Sequence, residues 1–235
     1  MRILTANLLN GRAHPEVLAT CLEALRVDAA LFQELGARQA GPIAEVLPYG
    51  KLEPADDFHG MGIALARPGE VRRLPLRFRD ARVAELHPAD WPELTQPAEL
   101  LDLHIAAPHA GPPWRSLPAR RAQLEGTLAY LAATPRPHRV VAGDLNATPL
   151  WPAYRRLAAV ASLRDVAEEG ARGAGRRAPL RTWGPWPGAP RVLRIDHVLA
   201  AGFTVHHFER VELLDTDHSA LLLELTPVPA PPDRS

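Results

Sequence analysis

The chain has 235 residues, of which 46% are hydrophobic, and its 27 basic side chains are matched by 27 acidic ones. A chain of this length and composition can bury a sizeable core, and we expect one domain over residues 1–226 followed by a flexible tail at 227–235. The balanced charge argues against structure-blind binding of nucleic acid, because such binding depends on an excess of basic side chains. Cys21 is the only cysteine, which excludes an intrachain disulfide.

No stretch approaches the roughly 20 consecutive apolar residues that a membrane-spanning helix needs. Met1 and Arg2 lead directly into an apolar strand pattern rather than into a signal peptide. We therefore expect a cytoplasmic protein without a transmembrane segment, and no pattern indicates an obligate protein partner.

In the first half of the chain, hydrophobic periodicity predicts alternating strands and helices and then a series of short strands. In that series the period of two residues, interrupted by Gly and Pro, favours antiparallel pairing. The predicted elements are strands at 2–7, 29–33, 51–54, 61–67, 71–77 and 81–86, and helices at 15–25 and 38–47.

The second half continues with a strand, the longest predicted helix and further strands. Leu117, Leu124, Leu128 and Leu131 form one apolar stripe along that long helix. The predicted elements are strands at 100–106, 138–142, 195–200, 204–210 and 219–225, and helices at 117–133 and 151–160.

Acidic, amide and imidazole side chains lie where the apolar runs end. In layered α/β domains the ligand crevice lies at strand ends, so these side chains are expected to meet at one site. The apolar run at 192–195, interpreted as a buried strand, would place Asp196 at such an end. The residues are Asn7, Gln33, Glu34, Asp144, Asn146, Asp196, His197, Asp217 and His218.

Several of these residues have a structural alternative. Glu34 can be a surface residue at the start of a helix, and Asp144 and Asn146 can simply shape a turn by bonding to their own backbone. Mg²⁺ prefers one or two carboxylate ligands and keeps water or phosphate oxygens in its other positions. Glu34, which follows a fully apolar strand, is the best single candidate for a metal ligand.

The order and spacing of five motifs resemble the endonuclease/exonuclease/phosphatase superfamily. This group includes DNase I-like nucleases, abasic-site endonucleases, sphingomyelinases and inositol polyphosphate 5-phosphatases. The resemblance implies a four-layer α/β/β/α sandwich of two mainly antiparallel sheets. The motifs are Thr5-Ala6-Asn7, Phe32-Gln33-Glu34, Gly143-Asp144-Leu145-Asn146-Ala147-Thr148-Pro149, Arg194-Ile195-Asp196-His197 and Thr216-Asp217-His218-Ser219.

The resemblance also implies hydrolysis of a phosphoester by in-line attack of water, with Mg²⁺ or Mn²⁺ as cofactor. It implies that Glu34 and Asp217 bind metal and that Asn7 binds metal or holds Glu34. Asp144 would orient or deprotonate the attacking water, and Asn146 would hydrogen-bond the phosphate.

His218 is expected to act as a general base or as a donor to the phosphate in the transition state. An imidazole titrates near neutral pH, and a neighbouring carboxylate raises its pKa and fixes its tautomer. The resemblance implies that Asp196 is this partner. His197 is expected to point away, because adjacent strand residues face opposite sides.

His104 occupies the place where similar enzymes have a His that protonates the leaving oxygen or binds phosphate. DNase I-like enzymes pair that His with a Glu, which this chain lacks near His59, and Asp56 or Asp57 is a possible substitute. Trp183 and Arg120 are further candidates for substrate binding, since an aromatic ring stacks on a base, sugar or apolar tail. Arg72, Arg73, Arg77 and Arg79 are interpreted as a solvated basic face.

The substrate stays open at this stage. One hypothesis is a metal-dependent phosphodiesterase or phosphatase that acts on a small or lipid-linked phosphoester, which the balanced charge favours. The second is a DNA endonuclease of DNase I or abasic-site type, and the third is a catalytically silent binding module. Asp196 is followed by His197, where inositol 5-phosphatases have Arg and abasic-site enzymes have an aromatic residue.

Overall fold

The computed structural model describes residues 1–108, 112–160, 163–173 and 180–228. The tail expected at 227–235 lies outside these residues except at its first two positions. The helices are α1 (Pro15–Ala24), α2 (Ala37–Val46), α3 (Pro113–Ala133), α4 (Pro152–Ala158) and α5 (Val166–Gly173). The strands are β1 (Arg2–Asn7), β2 (Ala29–Gln33), β3 (Tyr49–Glu53), β4 (Met61–Leu65), β5 (Glu70–Leu74), β6 (Ala81–Leu86), β7 (Ala98–His104), β8 (His138–Asp144), β9 (Arg164–Asp165), β10 (Asp196–Ala201), β11 (Phe203–Glu212) and β12 (Ser219–Pro227).

The strands form two six-stranded sheets with the orders β11-β12-β1-β2-β4-β3 and β5-β6-β7-β8-β10-β9. Each sheet has one parallel pair, β1 with β2 and β7 with β8, and its other pairs are antiparallel. The sheets stack face to face, and helices cover their outer faces. The four-layer α/β/β/α sandwich of mainly antiparallel sheets is therefore confirmed.

Three apolar layers hold the sandwich together. Ile3 on β1 belongs to the core between the two sheets, whereas its neighbour Leu4 packs with Leu18 and Leu22 of α1 on the outer face. On the far side, Leu124 of α3 packs in a third cluster against the outer face of the second sheet. Because the central strands are buried on both faces, their sequences are continuous apolar runs rather than alternating ones.

The structure corrects the strand predicted from the run at 192–195. Val192 and Leu193 are exposed, and β10 begins at Asp196. Because β10 is antiparallel to β8 and Asp196 pairs with Asp144, the start of β10 lies at the edge where β8 ends. Asp196 therefore reaches the expected edge as the first residue of a strand and not as the last.

The long helix α3 also differs from its prediction. Leu117 is exposed, so the apolar stripe lacks its first member, and α3 buries Arg120, Gln123 and Thr127 near the site. Strand β9 was not predicted, because its two residues are too few to show a period. Helix α5 was not predicted either. None of the described helices is long and apolar enough to span a membrane.

Candidate active site

One edge of the sandwich brings the motif residues together. The parallel strands β1, β2, β7 and β8 end at this edge, and the antiparallel strands β10 and β12 begin there. These termini surround a cavity of about 540 Å³. Its lining includes Glu34, Arg79, His104, Asp144, Asn146, Asp217 and His218 together with Leu9, Phe58, Pro108, Trp151, Trp183, Pro185 and Leu193.

Asn7 holds the acidic side chains of both sheets in one place. Its Nδ2 donates to Glu34 Oε1 and to Asp144 Oδ2, each over 3.1 Å. Glu34 Oε2 accepts a hydrogen bond of 2.8 Å from the backbone N–H of Asn10. Glu34 itself has a φ of 55°, a left-handed conformation that a non-glycine residue adopts at some cost. The contacts match the expectation that Asn7 holds Glu34.

Asn146 fixes the second carboxylate. Its backbone N–H donates to Asp144 Oδ1 over 2.8 Å, and its Nδ2 donates to Asp144 Oδ2 and to the carbonyl of Ile105, both over 3.0 Å. Asn146 lines the cavity as expected. Because both hydrogens of its side-chain amide are donated to protein oxygens, Asn146 orients Asp144 in this structure.

His218 and Asp196 form the expected pair. His218 Nδ1 lies 3.0 and 2.9 Å from the two oxygens of Asp196. The hydroxyl of Thr182 accepts hydrogen bonds from the backbone N–H groups of Ile195 and Asp196, which anchors the start of β10. Burial lowers the pKa of His218, but the charge and hydrogen bond of Asp196 outweigh it and raise the pKa to about 10.

Nε2, the other ring nitrogen of His218, lies among carboxylates. It is 3.9 Å from Asp144 Oδ2 and 3.9 Å from Asp217 Oδ1. Asp217 Oδ2 accepts a hydrogen bond of 3.0 Å from Trp183 Nε1, whereas Asp217 Oδ1 is buried and has no hydrogen-bond partner in the described part of the chain. Burial and the charge of Asp196 raise the pKa of Asp144.

His104 lies within the cluster. Its Nε2 is 3.6 Å from both Glu34 Oε1 and Asp144 Oδ2. The acidic partner suggested for it is not found, because Asp57 bonds to His59 over 3.0 Å and His104 Nδ1 has no hydrogen-bond partner among the described residues. Burial and the charge of Arg79 hold the pKa of His104 well below its usual value.

Arg79 was interpreted as part of a solvated face and is instead a buried cation at the cavity. It is 7% exposed, and its guanidinium lies 5.0 Å from the ring centre of Phe58 and 5.5 Å from that of Phe78. Its Nη1 donates to the His104 carbonyl over 3.2 Å, while its buried Nε has no hydrogen-bond partner in the described regions. In the sequence, the buried position of Arg79 is marked only by its place after Phe78 and just before a strand.

Arg120, expected to bind substrate, lies behind the site. Its guanidinium donates to the carbonyls of Ala106 and Asn146 and does not line the cavity. Gln123, one turn further along α3, accepts from the Ala106 N–H over 2.8 Å. This buried polar face of α3 was missed in the sequence, and it fixes the chain where β7 leaves the sheet.

Trp183 and His197 differ in their position relative to the cavity. Trp183, a candidate for substrate binding, lines the cavity, and the nearby Trp186 is exposed and not among the lining residues. His197 points away from the cluster, since its Nε2 lies 2.7 Å from the Ala147 carbonyl and its ring packs against Tyr154.

The donor set fits a divalent cation. Glu34, His104 and Asp144 each offer one ligand atom, and these atoms all lie within 4.8 Å of one another. Asp217 lies on the His218 side, and its buried Oδ1 lacks a partner. The carboxylate oxygens are hard donors that suit Mg²⁺ or Mn²⁺, whereas an imidazole nitrogen from His104 would also suit Zn²⁺. Asp144, Asp196 and His218 form a second compatible group, but the hydrogen bond between Asp196 and His218 already uses two of its members.

A family model supports the resemblance on independent grounds. The Endonuclease/Exonuclease/phosphatase family matches residues 4–218, so the chain belongs to this family. No curated protein sequence matches the chain.

Solved structures share the fold at low sequence identity. An endonuclease/exonuclease/phosphatase from Beutenbergia cavernae is 18% identical, with a TM-score of 0.71 over 99% of this chain and 72% of that one. The human Nocturnin catalytic domain with bound sulfate is 17% identical, with a TM-score of 0.69 over 97% and 94%. A mannosyl-6-phosphatase from Bacteroides thetaiotaomicron is 16% identical, with a TM-score of 0.68 over 96% and 99%.

Proposed function

We propose that the protein is a divalent-metal-dependent phosphoester hydrolase, a phosphodiesterase or phosphatase in which water attacks phosphorus in line. The observation that carries this proposal is the convergence of Glu34, Asp144, Asp217 and the His218–Asp196 pair at one cavity. Nuclease and phosphatase, the activities in the family's name, both break phosphoester bonds.

Glu34 is the first ligand proposed for the metal, with Asp144 and His104 beside it and Asp217 available for the same ion or a second one. When bound, Mg²⁺ or Mn²⁺ supplies positive charge to the phosphoryl oxygens and favours formation of the nucleophile from water. Asn7 keeps Glu34 and Asp144 from moving apart.

The protein's own residues supply the remaining steps. Asp144, oriented by Asn146, positions or deprotonates the attacking water. His218 donates from Nε2 to a phosphoryl oxygen, because its Nδ1 is held by Asp196. Arg79 adds a fixed positive charge beside His104.

The test is a panel of divalent metals with bis-nitrophenyl phosphate, nitrophenyl phosphate, supercoiled plasmid and an abasic duplex as substrates. We expect wild type to hydrolyse the small esters with Mg²⁺ or Mn²⁺, and Asp144→Ala to lose at least ~10² of this activity at an unchanged melting temperature. His197→Gln, which changes a buried residue facing away from the cavity, is the control and retains activity.

The other outcomes separate the alternatives. Absence of hydrolysis with every metal and substrate would favour a silent binding module. Rapid cleavage of plasmid or abasic duplex with negligible turnover of the small esters would favour a DNA endonuclease instead.

A further inference from the structure

Three segments of the sequence contain no acidic residue, and described residues of each border the cavity. They are residues 105–124, 145–164 and 180–195, and they hold four of the five tryptophans. Each contributes to the cavity wall, through Pro108, Trp151 and Pro185 respectively. The part of the mouth that these segments form therefore carries no carboxylate, although the whole chain has as many acidic as basic side chains.

Large apolar side chains in these segments face solvent. Trp114 is 74% exposed, Leu117 55%, Leu150 75% and Trp186 62%. Single exposed apolar side chains are ordinary, whereas several large ones in segments that border one cavity point to an interaction surface.

Contacts of neighbouring residues tie the first segment to the cavity wall and to the second segment. The Ser116 hydroxyl donates to the Pro108 carbonyl over 2.8 Å, which ties the start of α3 to the cavity wall. The Arg120 guanidinium lies 5.5 Å from the ring centre of Trp151, so α3 also adjoins the start of α4. Leu150 and Trp186 directly adjoin the lining residues Trp151 and Pro185 in the chain.

Basic side chains accompany this apolar group. Arg115, Arg155 and Arg181 are exposed, and within the described regions their guanidinium groups form no hydrogen bond or ion pair. An apolar surface with Trp and Leu at its tips, with arginines and without carboxylates, is complementary to an anionic lipid interface.

We propose that this mouth surface, defined by Trp114, Leu117, Leu150 and Trp186 with Arg115 and Arg155, docks on an anionic lipid surface. The substrate would then be a phosphoester presented by that surface. This second part rests on the proposed hydrolase function, whereas docking does not.

Nucleic acid fits the same surface less well. Leu117 and Leu150 have no π-face on which a base stacks. Other arginines of the three segments are occupied, since Arg156 pairs with Glu125 and Arg194 pairs with Asp165. Few cations are left to neutralise phosphates, which is the main source of nucleic-acid affinity.

The experiment measures co-sedimentation of the full chain with vesicles of phosphatidylcholine alone and of phosphatidylcholine mixed with phosphatidylserine. Wild type is expected to bind the mixed vesicles, and Trp114→Ala/Leu150→Ala to bind about tenfold more weakly, because large apolar side chains lose their burial in lipid. Arg115→Glu is expected to bind more weakly at low salt only.

Matched controls lie at the opposite edge of the sandwich. Tyr49→Ala removes an exposed aromatic residue that pairs with Leu65 of β4, which in turn pairs with Ala29 at the start of β2. Arg26→Glu reverses an exposed charge after α1. Both are expected to bind vesicles like wild type. Melting temperatures should stay within error of wild type for all variants, since every altered side chain is exposed.

Three results would overturn docking. The first is failure of wild type to bind mixed vesicles, and the second is equal binding by Trp114→Ala/Leu150→Ala. The third is a loss of affinity for a single-stranded oligonucleotide in that variant with vesicle binding unchanged. Hydrolysis of soluble bis-nitrophenyl phosphate should be the same in all variants. If that activity is absent while vesicle binding persists, the hydrolase function fails and docking stands.

Discussion

Asn7 in one sheet donates a hydrogen bond of 3.1 Å to Asp144 in the other, although 137 positions separate them in the chain. The same Nδ2 bonds to Glu34, so one amide sets the spacing between the two carboxylates. Two sheets that pack through apolar side chains alone can slide by fractions of an ångström, whereas catalytic groups need tighter placement. Asn7 therefore couples the packing of the sandwich to the geometry of the site.

Asn7→Ala is expected to lower turnover by at least about tenfold in protein that is still folded, because misplaced catalytic groups lose rate steeply. Steady-state kinetics beside thermal melting will measure it. Thr5→Val is the control, since Thr5 is also buried on β1 and bonds to Gln33 away from the cavity. Equal losses of activity in both variants would show that Asn7 acts only through stability.

His218→Ala is expected to cut turnover by at least ~10². Asp196→Asn should share much of that loss, because Asp196 acts through the ring it holds. Kinetics of the two single variants and the double variant form the measurement. Losses that multiply in the double variant would contradict a functional pair.

His104→Ala separates two roles by the leaving group of the substrate. If His104 protonated the leaving oxygen, its removal would hurt esters with poor alkoxide leaving groups far more than nitrophenyl esters. Its lowered pKa and the absence of a hydrogen-bond partner for Nδ1 among the described residues lead us to expect equal losses, as for a group that binds phosphate or metal. A much larger loss on alkyl esters would restore the acid role.

Glu53 is expected to stabilise the fold in a pH-dependent way. It joins β3 of one sheet to Arg73 and Arg82 of the other. Burial raises its pKa, but the arginines outweigh this and lower it to about 2 from the ordinary 4.5. Between pH 4.5 and 2 the unfolded chain binds more protons than the folded one, so this contribution is complete above pH 4.5 and is lost as the pH falls.

Melting curves of Glu53→Gln should therefore show a lower melting temperature at neutral pH and a gap to wild type that closes in acid. Glu70→Gln on neighbouring β5 is the control, because Glu70 is exposed and has no ion pair among the described residues. A gap that is the same at all pH values would indicate lost packing and not lost charge.

The strand-end motifs could be predicted from the sequence, because buried strands are continuous apolar runs and polar residues that follow them are conspicuous. The sequence could not show that Asp196 begins its strand, because Val192, Leu193 and Ile195 look like the end of a buried strand whereas Val192 and Leu193 are exposed. The strand that pairs with β10 decides where β10 begins, and this strand, β8, is remote in sequence.

The positions of Arg79 and Arg120 could not be predicted from the sequence either. Both belong to clusters of arginines that resemble solvated faces, and only tertiary contacts distinguish them. Phe58 and Phe78 bury Arg79 at the cavity, while the carbonyls of Ala106 and Asn146 hold Arg120 behind it. No local pattern encodes these partners.

A divalent metal held at Glu34 is proposed to support hydrolysis of the phosphoester. The most direct measurement is hydrolysis of bis-nitrophenyl phosphate by chelator-treated protein during titration with Mn²⁺, for wild type and Glu34→Gln. We expect no activity before metal is added, saturable recovery in wild type, and at least about tenfold weaker apparent metal affinity in Glu34→Gln at an unchanged melting temperature. Full activity in metal-free buffer, or the same metal dependence in both proteins, would contradict the account.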